Sequence, residues 1–137
     1  MTIAPAGRAS LVPLSLHVPG DFSSAAYFLV AATLVPGSEV SIEQVGVNAT
    51  RTGLLDVLET MGAQVEQIAR HRSGGEPVAD LRIQAASLRG TTISGDTVVR
   101  MIDEFPALAV AATQAEGTTV VHDATELRVK ETDRIAT

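Results

Sequence analysis

The chain has 137 residues, 45% apolar and 19% charged, enough to bury one core and too lightly charged for a disordered chain. Its net charge of −6 excludes a general basic surface for nucleic acid or an anionic membrane, so any small anionic ligand needs a local cluster of cations. There is no cysteine, which excludes disulfides, thiolate nucleophiles and thiolate metal sites. No stretch approaches the roughly 20 apolar residues of a membrane span, and the expectation is a soluble, cytoplasmic protein without membrane contact.

The apolar residues are mainly Ala, Val, Leu and Ile, with no Trp and one Tyr, which favours small aliphatic layers of helices packed on sheets. Residues 1–13 read as a loose lead-in. A short strand is predicted over Leu14–Val18, ended by Pro19-Gly20. Asp21 stands where a helix N-cap belongs, and Phe22, Ala25, Ala26, Leu29 and Thr33 follow at helical spacing until Pro36-Gly37. Ser38–Val45 alternates as a half-buried strand, with Val40 and Ile42 against Glu39, Ser41 and Glu43. Asn48 or Thr50 can cap a second helix with the stripe Leu54, Leu55, Leu58 and Met61, and Gly62 takes the position past its end. Ala63–Ala69 and Ala79–Ala85 read as strands joined by a loop over Ser73-Gly74-Gly75-Glu76-Pro77. The order closes as βαβαββ.

A second part begins with a strand near Thr91–Ile93 and a helix from about Glu104 to Gln114. Pro106 is confined to its first turn, and Phe105, Leu108, Ala109 and Ala112 are expected to face inward. A strand over Thr118–His122 follows, and another helix is expected to open near Glu131. Shifting the sequence by 80 lays Val30-Ala31-Ala32-Thr33 on Val110-Ala111-Ala112-Thr113, Gly37 on Gly117, Val40 on Val120 and Thr52 on Thr132. This points to one helix–turn–strand–helix segment used twice, with residues 14–88 a complete βαβαββ unit and 89–137 a partial one. All 137 residues are then expected to form a single domain, itself a piece of something larger.

Two places carry candidate chemistry. Asp103 falls at the mouth of the Pro106 helix, where free N–H groups and the macrodipole favour a carboxylate anion ready to accept a proton. The plain alternative is that Asp103 or Glu104 simply caps that helix. Arg128–Arg134 gathers three cations with Glu131 and Asp133 at the expected second helix mouth, a setting suited to phosphate or carboxylate. The alternative there is a solvated, self-neutralising run. His17, His71 and His122 lack metal-ligand spacing, and no metal is expected. Asn48 and Arg51 read as capping and surface pairing, and Ser23 and Ser24 as capping of the first helix.

Val129-Lys130-Glu131-Thr132-Asp133-Arg134 resembles the signature region of the 5-enolpyruvylshikimate-3-phosphate (EPSP) synthase family. Ile102–Pro106, Ala112–Thr119, Gly20–Ala26 and Asn48–Gly53 are similar to stretches of that family in the same order, so the resemblance covers roughly residues 16–137. It implies the inside-out α/β barrel of the enolpyruvyl transferases, two domains each of three βαβαββ units, with substrates in the cleft between them. The implied reaction moves the enolpyruvyl group of phosphoenolpyruvate to the 5-hydroxyl of shikimate 3-phosphate and releases phosphate, with no cofactor. By position, Asp103 is implied as the carboxylate beside the attacking hydroxyl and as a substrate-binding group. Glu131 is implied as the acid that exchanges protons with the methylene. Lys130 is implied as a substrate-binding residue close to that transfer, and Arg134 as a ligand of phosphoenolpyruvate or of the inhibitor glyphosate. Glu126 stands where the family often has a neutral polar residue, and no role is assigned to it. The alternative is a binding or complementation module that needs the remainder of a parent enzyme for turnover.

Overall fold

The computed structural model describes residue 13 and residues 15–136. Most of the expected lead-in, together with Leu14 and Thr137, lies outside the described residues.

The first helix, α1 (Phe22–Leu34), starts where the sequence indicates. The Asp21 carboxylate accepts hydrogen bonds from the backbone N–H of Ser23 at 3.3 Å and of Ser24 at 2.8 Å, satisfying two of the first free donors. Upstream, residues 15–18 form no ladder, which corrects the strand expected there. Pro19 has no N–H to donate, and the pairing is left to Gly20, which bridges in parallel to Val45.

Three antiparallel strands follow, β1 (Glu39–Gly46), β2 (Val65–Ser73) and β3 (Glu76–Gln84), in the order β1-β3-β2. The loop expected over Ser73–Pro77 is instead a two-residue turn, because Gly74 and Gly75 both take positive φ (58° and 90°), the geometry a tight hairpin needs. Both strands therefore run closer to the turn than expected. Each outer strand bulges opposite the middle of β3: β1 between Ile42 and Val45, β2 between Ile68 and His71. Gln44 and Ala69 adopt left-handed φ at these bulges, and the Asp80 carboxylate accepts the Gln44 N–H at 2.8 Å.

Helix α2 (Gly53–Thr60) buries Leu54, Leu55 and Leu58, with Met61 buried just beyond and Gly62 at φ 106° ending the turn. Neither Asn48 nor Thr50 is its cap. Asn48 Oδ1 accepts from the Thr50 amide and hydroxyl in a turn of its own, and Thr52 is the N-cap. Helices α1 and α2 pack on the sheet, their leucines meeting Val45, Leu81 and Ile83 in the core.

The second part has a parallel pair, β4 (Thr92–Ile93) and β5 (Val120–Val121), and two helices, α3 (Asp96–Arg100) and α4 (Phe105–Thr113). The sequence reading did not foresee α3, a single turn packed on α2. In α4, Pro106 does sit in the first turn, but the inward face is Ala107, Leu108 and Ala111, packed toward α1, while Ala109 is exposed. A helix apolar on every side does not fix its own phase, and its neighbour does. No helix opens at Glu131. A 3-10 turn (Thr125–Arg128) buries Leu127, the Arg134 amide donates back to the Leu127 carbonyl, and Asp133 Oδ1 accepts from the Ile135 and Ala136 amides. Asp133 thus stands to these two amides as Asp21 does to Ser23 and Ser24, a capping pattern, but among the described residues only a turn follows it. Among the described residues no helix is long and apolar enough to cross a membrane.

Candidate active site

Three elements bring their beginnings together: the first turn of α1, the segment before α2, and the start of α4. The strap 129–134 crosses beside them. Asp103, one residue before the α4 N-cap, is the centre of this meeting. Its Oδ2 lies 3.3 Å from Arg51 Nη2, and its Oδ1 lies 3.6 Å from Lys130 Nζ and 3.5 Å from Arg134 Nη1. Arg134 Nη2 reaches Glu131 at 2.8 Å, while Arg134 Nη1 also donates to the Ile102 carbonyl at 3.3 Å. One guanidinium thus touches both carboxylates that the sequence singled out. Lys130 and Arg134 are only about a quarter exposed, so these pairs are less screened than an open surface pair.

The start of α4 also corrects the capping alternative. Glu104 is its N-cap residue, yet its side chain makes no capping hydrogen bond, and the Asp103 side chain is turned to the cations. Glu104 is buried, accepts the Ser23 hydroxyl through Oε1, and faces Arg51 Nη2 at 3.9 Å. Its Oε2 has no hydrogen-bond partner among the described residues. Ser23 was expected to cap α1 with its hydroxyl. Its amide is capped by Asp21, while the hydroxyl bridges from Arg51, which donates to it at 3.3 Å, to Glu104. Arg51 does form an ion pair, as expected, but its partner is the candidate proton acceptor. Ser24 does not cap with its hydroxyl either: that hydroxyl donates to Asp21 at 2.7 Å and so braces the carboxylate that does the capping.

The electrostatics separate the two acids. Glu131 is held below the ordinary carboxylate range, first by its own backbone N–H and then by Arg134, and the same pairing pushes Arg134 higher. Glu104 moves the other way, because burial penalises its charged form more than Ser23 and Arg51 favour it. A cleft of about 500 Å³ opens between α1 and α4, with Asp103 and Arg134 on one wall and Tyr27, Pro106, Ala109 and Leu127 around them. A roomier hollow of about 940 Å³ lies at the opposite ends of the helices, near Thr33, Met61 and Gln114, and holds no member of this cluster.

Ser23, Arg51 and Glu104 are the members that sequence reasoning did not place in the site. Contacts across 28 and 81 positions leave no mark in local spacing; the only signal was the neighbouring pair of acids before Phe105-Pro106.

A carboxylate ringed by cations on the wall of an open cleft, with a second carboxylate on a shared guanidinium, is chemically able to hold a small anion beside groups that exchange protons, and it sits on an α/β scaffold. The chain belongs to the EPSP synthase (3-phosphoshikimate 1-carboxyvinyltransferase) family, whose family model matches residues 1–137. It is 63% identical over 119 residues to the 3-phosphoshikimate 1-carboxyvinyltransferase of Geobacter sulfurreducens, covering 87% of this chain and 28% of that protein. To the enzyme of that name from Synechococcus sp. it is 55% identical over 135 residues, covering 98% and 30%. A solved EPSP synthase from Acinetobacter baumannii superposes with a TM-score of 0.86 at 48% identity over 88% of this chain and 27% of that one. The mixed α/β fold expected from the resemblance is therefore the fold of this family. The chain spans less than a third of the length of these relatives.

Proposed function

We propose that this chain carries part of the active site of an enzyme that moves the enolpyruvyl group of phosphoenolpyruvate to the 5-hydroxyl of shikimate 3-phosphate, releasing phosphate. The carrying observation is the shared Arg134 guanidinium, which stands against Asp103 on one side and Glu131 on the other. Deprotonating an alcohol while protonating an enol carbon needs a base and an acid held apart, with cations to neutralise substrate phosphate and carboxylate. Asp103 would receive the hydroxyl proton, Glu131 would exchange the proton with the methylene, and Lys130 and Arg134 would hold the anionic groups. Glyphosate, itself an anion, would compete for Arg134.

The depressed Glu131 carboxyl supports a coupling between binding and chemistry. While Arg134 pairs with it, Glu131 stays ionised and is a poor acid. A bound phosphate or carboxylate that draws Arg134 away removes part of the cause, and Glu131 then takes up a proton more readily. The acid would be armed by the ligand.

The division into a complete unit over 14–88 and a partial unit over 89–137 is part of this reading. It is supported by α1 and α4, each followed by a positive-φ glycine (Gly37, Gly117) and then a strand, at the spacing of 80 found in the sequence. The reading also places the whole protein in the cytoplasm, without cofactor, nucleic-acid or membrane partners. For the 137 residues alone we expect ligand binding without measurable turnover, since half of a two-sided cleft lacks the remaining orienting groups. The remainder of the parent enzyme would be their partner.

Phosphate release from shikimate 3-phosphate and phosphoenolpyruvate tests the reaction in the full-length protein, where Asp103→Asn and Glu131→Gln should each abolish it. For the chain alone, backbone amide shifts at Lys130–Arg134 should move with either ligand. Steady release by the chain alone would defeat the module half of the reading; unmoved shifts at millimolar ligand would defeat its binding half.

A further inference from the structure

Glu104 is the least expected residue in the site. Its side chain is fully buried, one carboxyl oxygen has no hydrogen-bond partner among the described residues, and an apolar residue of similar volume would fill the space without desolvating a carboxyl. No role follows for it from the proton transfers above. What the carboxyl supplies is one acceptor, and that acceptor is used by the Ser23 hydroxyl.

The consequence runs outward along a single chain of contacts. Arg51 Nη2 donates to Ser23 Oγ at 3.3 Å and to Asp103 Oδ2 at 3.3 Å. A hydroxyl that has given its hydrogen to Glu104 keeps its lone pairs turned toward Arg51, so the direction of that hydrogen decides how well Ser23 accepts. The Arg51 side chain is half exposed and sits on a loop, and without a fixed second acceptor its guanidinium would be free to swing to solvent.

We propose that Glu104 is a positioning residue: through the Ser23 hydroxyl it fixes the Arg51 guanidinium on Asp103, closing the third side of a cationic ring whose other two sides are Lys130 and Arg134. The charged groups that face this arrangement are Asp21, whose carboxylate acts on Arg51 from the α1 cap, Asp103 beside it, and Glu131 through Arg134. Burial keeps the Glu104 carboxyl reluctant to ionise, which limits its competition with Asp103 for the same guanidinium. The ring then presents its charge to Asp103 and the cleft. The value of that ring for transfer rests on the function proposed above; the hydrogen-bond relay itself does not.

The test reads the relay directly. Rotation of the Arg51 guanidinium about its Cζ–Nη2 bond, measured by nitrogen-15 exchange spectroscopy on the 137-residue chain, slows when Nη2 is held by two acceptors. Glu104→Met, which keeps the volume and removes the acceptor, should speed this rotation about tenfold, the effect of losing one charge-assisted hydrogen bond. Glu104→Gln retains a carbonyl oxygen for Ser23 and should keep the rate within about twofold of the parent. Ser23→Ala should match Glu104→Met, and the double variant should be no faster than Ser23→Ala alone, because both changes break one chain of contacts. The proposal is overturned if Glu104→Met leaves the rate unchanged, if Glu104→Gln speeds it as much as Met does, or if the two single effects multiply. Amide signals of Leu29 and Leu58 report that the core is intact in each variant. Since the readout is a side-chain rotation and not turnover, its failure and the failure of the transfer reaction are separate results.

Discussion

Gly90 is where the packing of segment 88–91 on 116–120 depends most directly on a missing side chain. It has an ordinary φ, so alanine would meet no backbone strain there, but its added Cβ would lie 2.4 Å from the Thr118 carbonyl oxygen and 2.7 Å from the Thr118 nitrogen. Both are backbone atoms, about 1 Å inside ordinary contact, and no flexible side chain can give way. Relief requires the segment 88–91 to move off 116–120, which strains the bonds from Gly90 N–H to the Glu116 carbonyl at 2.8 Å and from the Glu116 N–H to the Leu88 carbonyl at 2.9 Å. Overpacking at about 1–3 kcal/mol, with two weakened hydrogen bonds at about 0.5–1.5 kcal/mol each, gives an expected loss of about 3 kcal/mol for Gly90→Ala. With no Trp and one Tyr, far-ultraviolet circular dichroism in urea is the suitable assay. For a slope of about 1.5–2 kcal/mol per molar, the midpoint should fall by about 1.5–2 M. Gly95→Ala is the control, since none of the described residues lies within 4 Å of its added Cβ and only its positive φ is strained. A Gly90→Ala midpoint within about 0.3 M of the parent, or a larger loss at Gly95, would refute the steric argument.

Other outcomes follow from single groups. Asp21→Ala removes the α1 cap and should cost about 1 kcal/mol at neutral pH in the same urea assay. Because hydrogen bonds from Ser24 hold the folded Asp21 carboxyl below the usual aspartate range, its contribution is present above that range and is lost as acid protonates it; Asp21→Asn, which keeps an acceptor, should weaken that acid dependence. Arg134→Met should raise the Glu131 titration midpoint measured by carbon-13 carboxyl shifts, and an unchanged midpoint would leave the Glu131 backbone amide and Lys130 as the causes. Gln44→Gly should stabilise the chain by about 0.5–1 kcal/mol in thermal unfolding, since glycine adopts the left-handed φ of 57° without a Cβ penalty and the amide bond to Asp80 is kept.

The sequence made local structure legible wherever one short stretch decides it. Asp21 before an apolar helical stripe located the start of α1, and the alternation of Val40 and Ile42 with Glu39 and Ser41 located β1. It failed where a distant partner decides. The run Phe105–Thr113 is apolar all round, so its inward face was set by α1 and not by its own spacing. The strap near Glu131 looked like a helix start because acids and cations gather there; among the described residues it runs as a turn tied back to the Leu127 carbonyl. Family resemblance named Asp103, Lys130, Glu131 and Arg134; it did not name Ser23, Arg51 or Glu104, which meet them only because α1, α2 and α4 begin on one side of the fold.

That arrangement explains how a chain with net charge −6 can gather three cations in one place. Some acids elsewhere pair locally, as Glu39 does with Arg82 and Asp56 with Arg100, while three cations converge on the single carboxylate Asp103. Two of the three ride on a strap whose order comes from Leu127 and from Asp103 itself. An anion entering the cleft therefore competes with Asp103 for Lys130 and Arg134, and whatever it draws away leaves Asp103 less neutralised and Glu131 less ionised. Both changes favour proton transfer in the direction that the proposed reaction needs, so binding and catalysis would use the same few contacts.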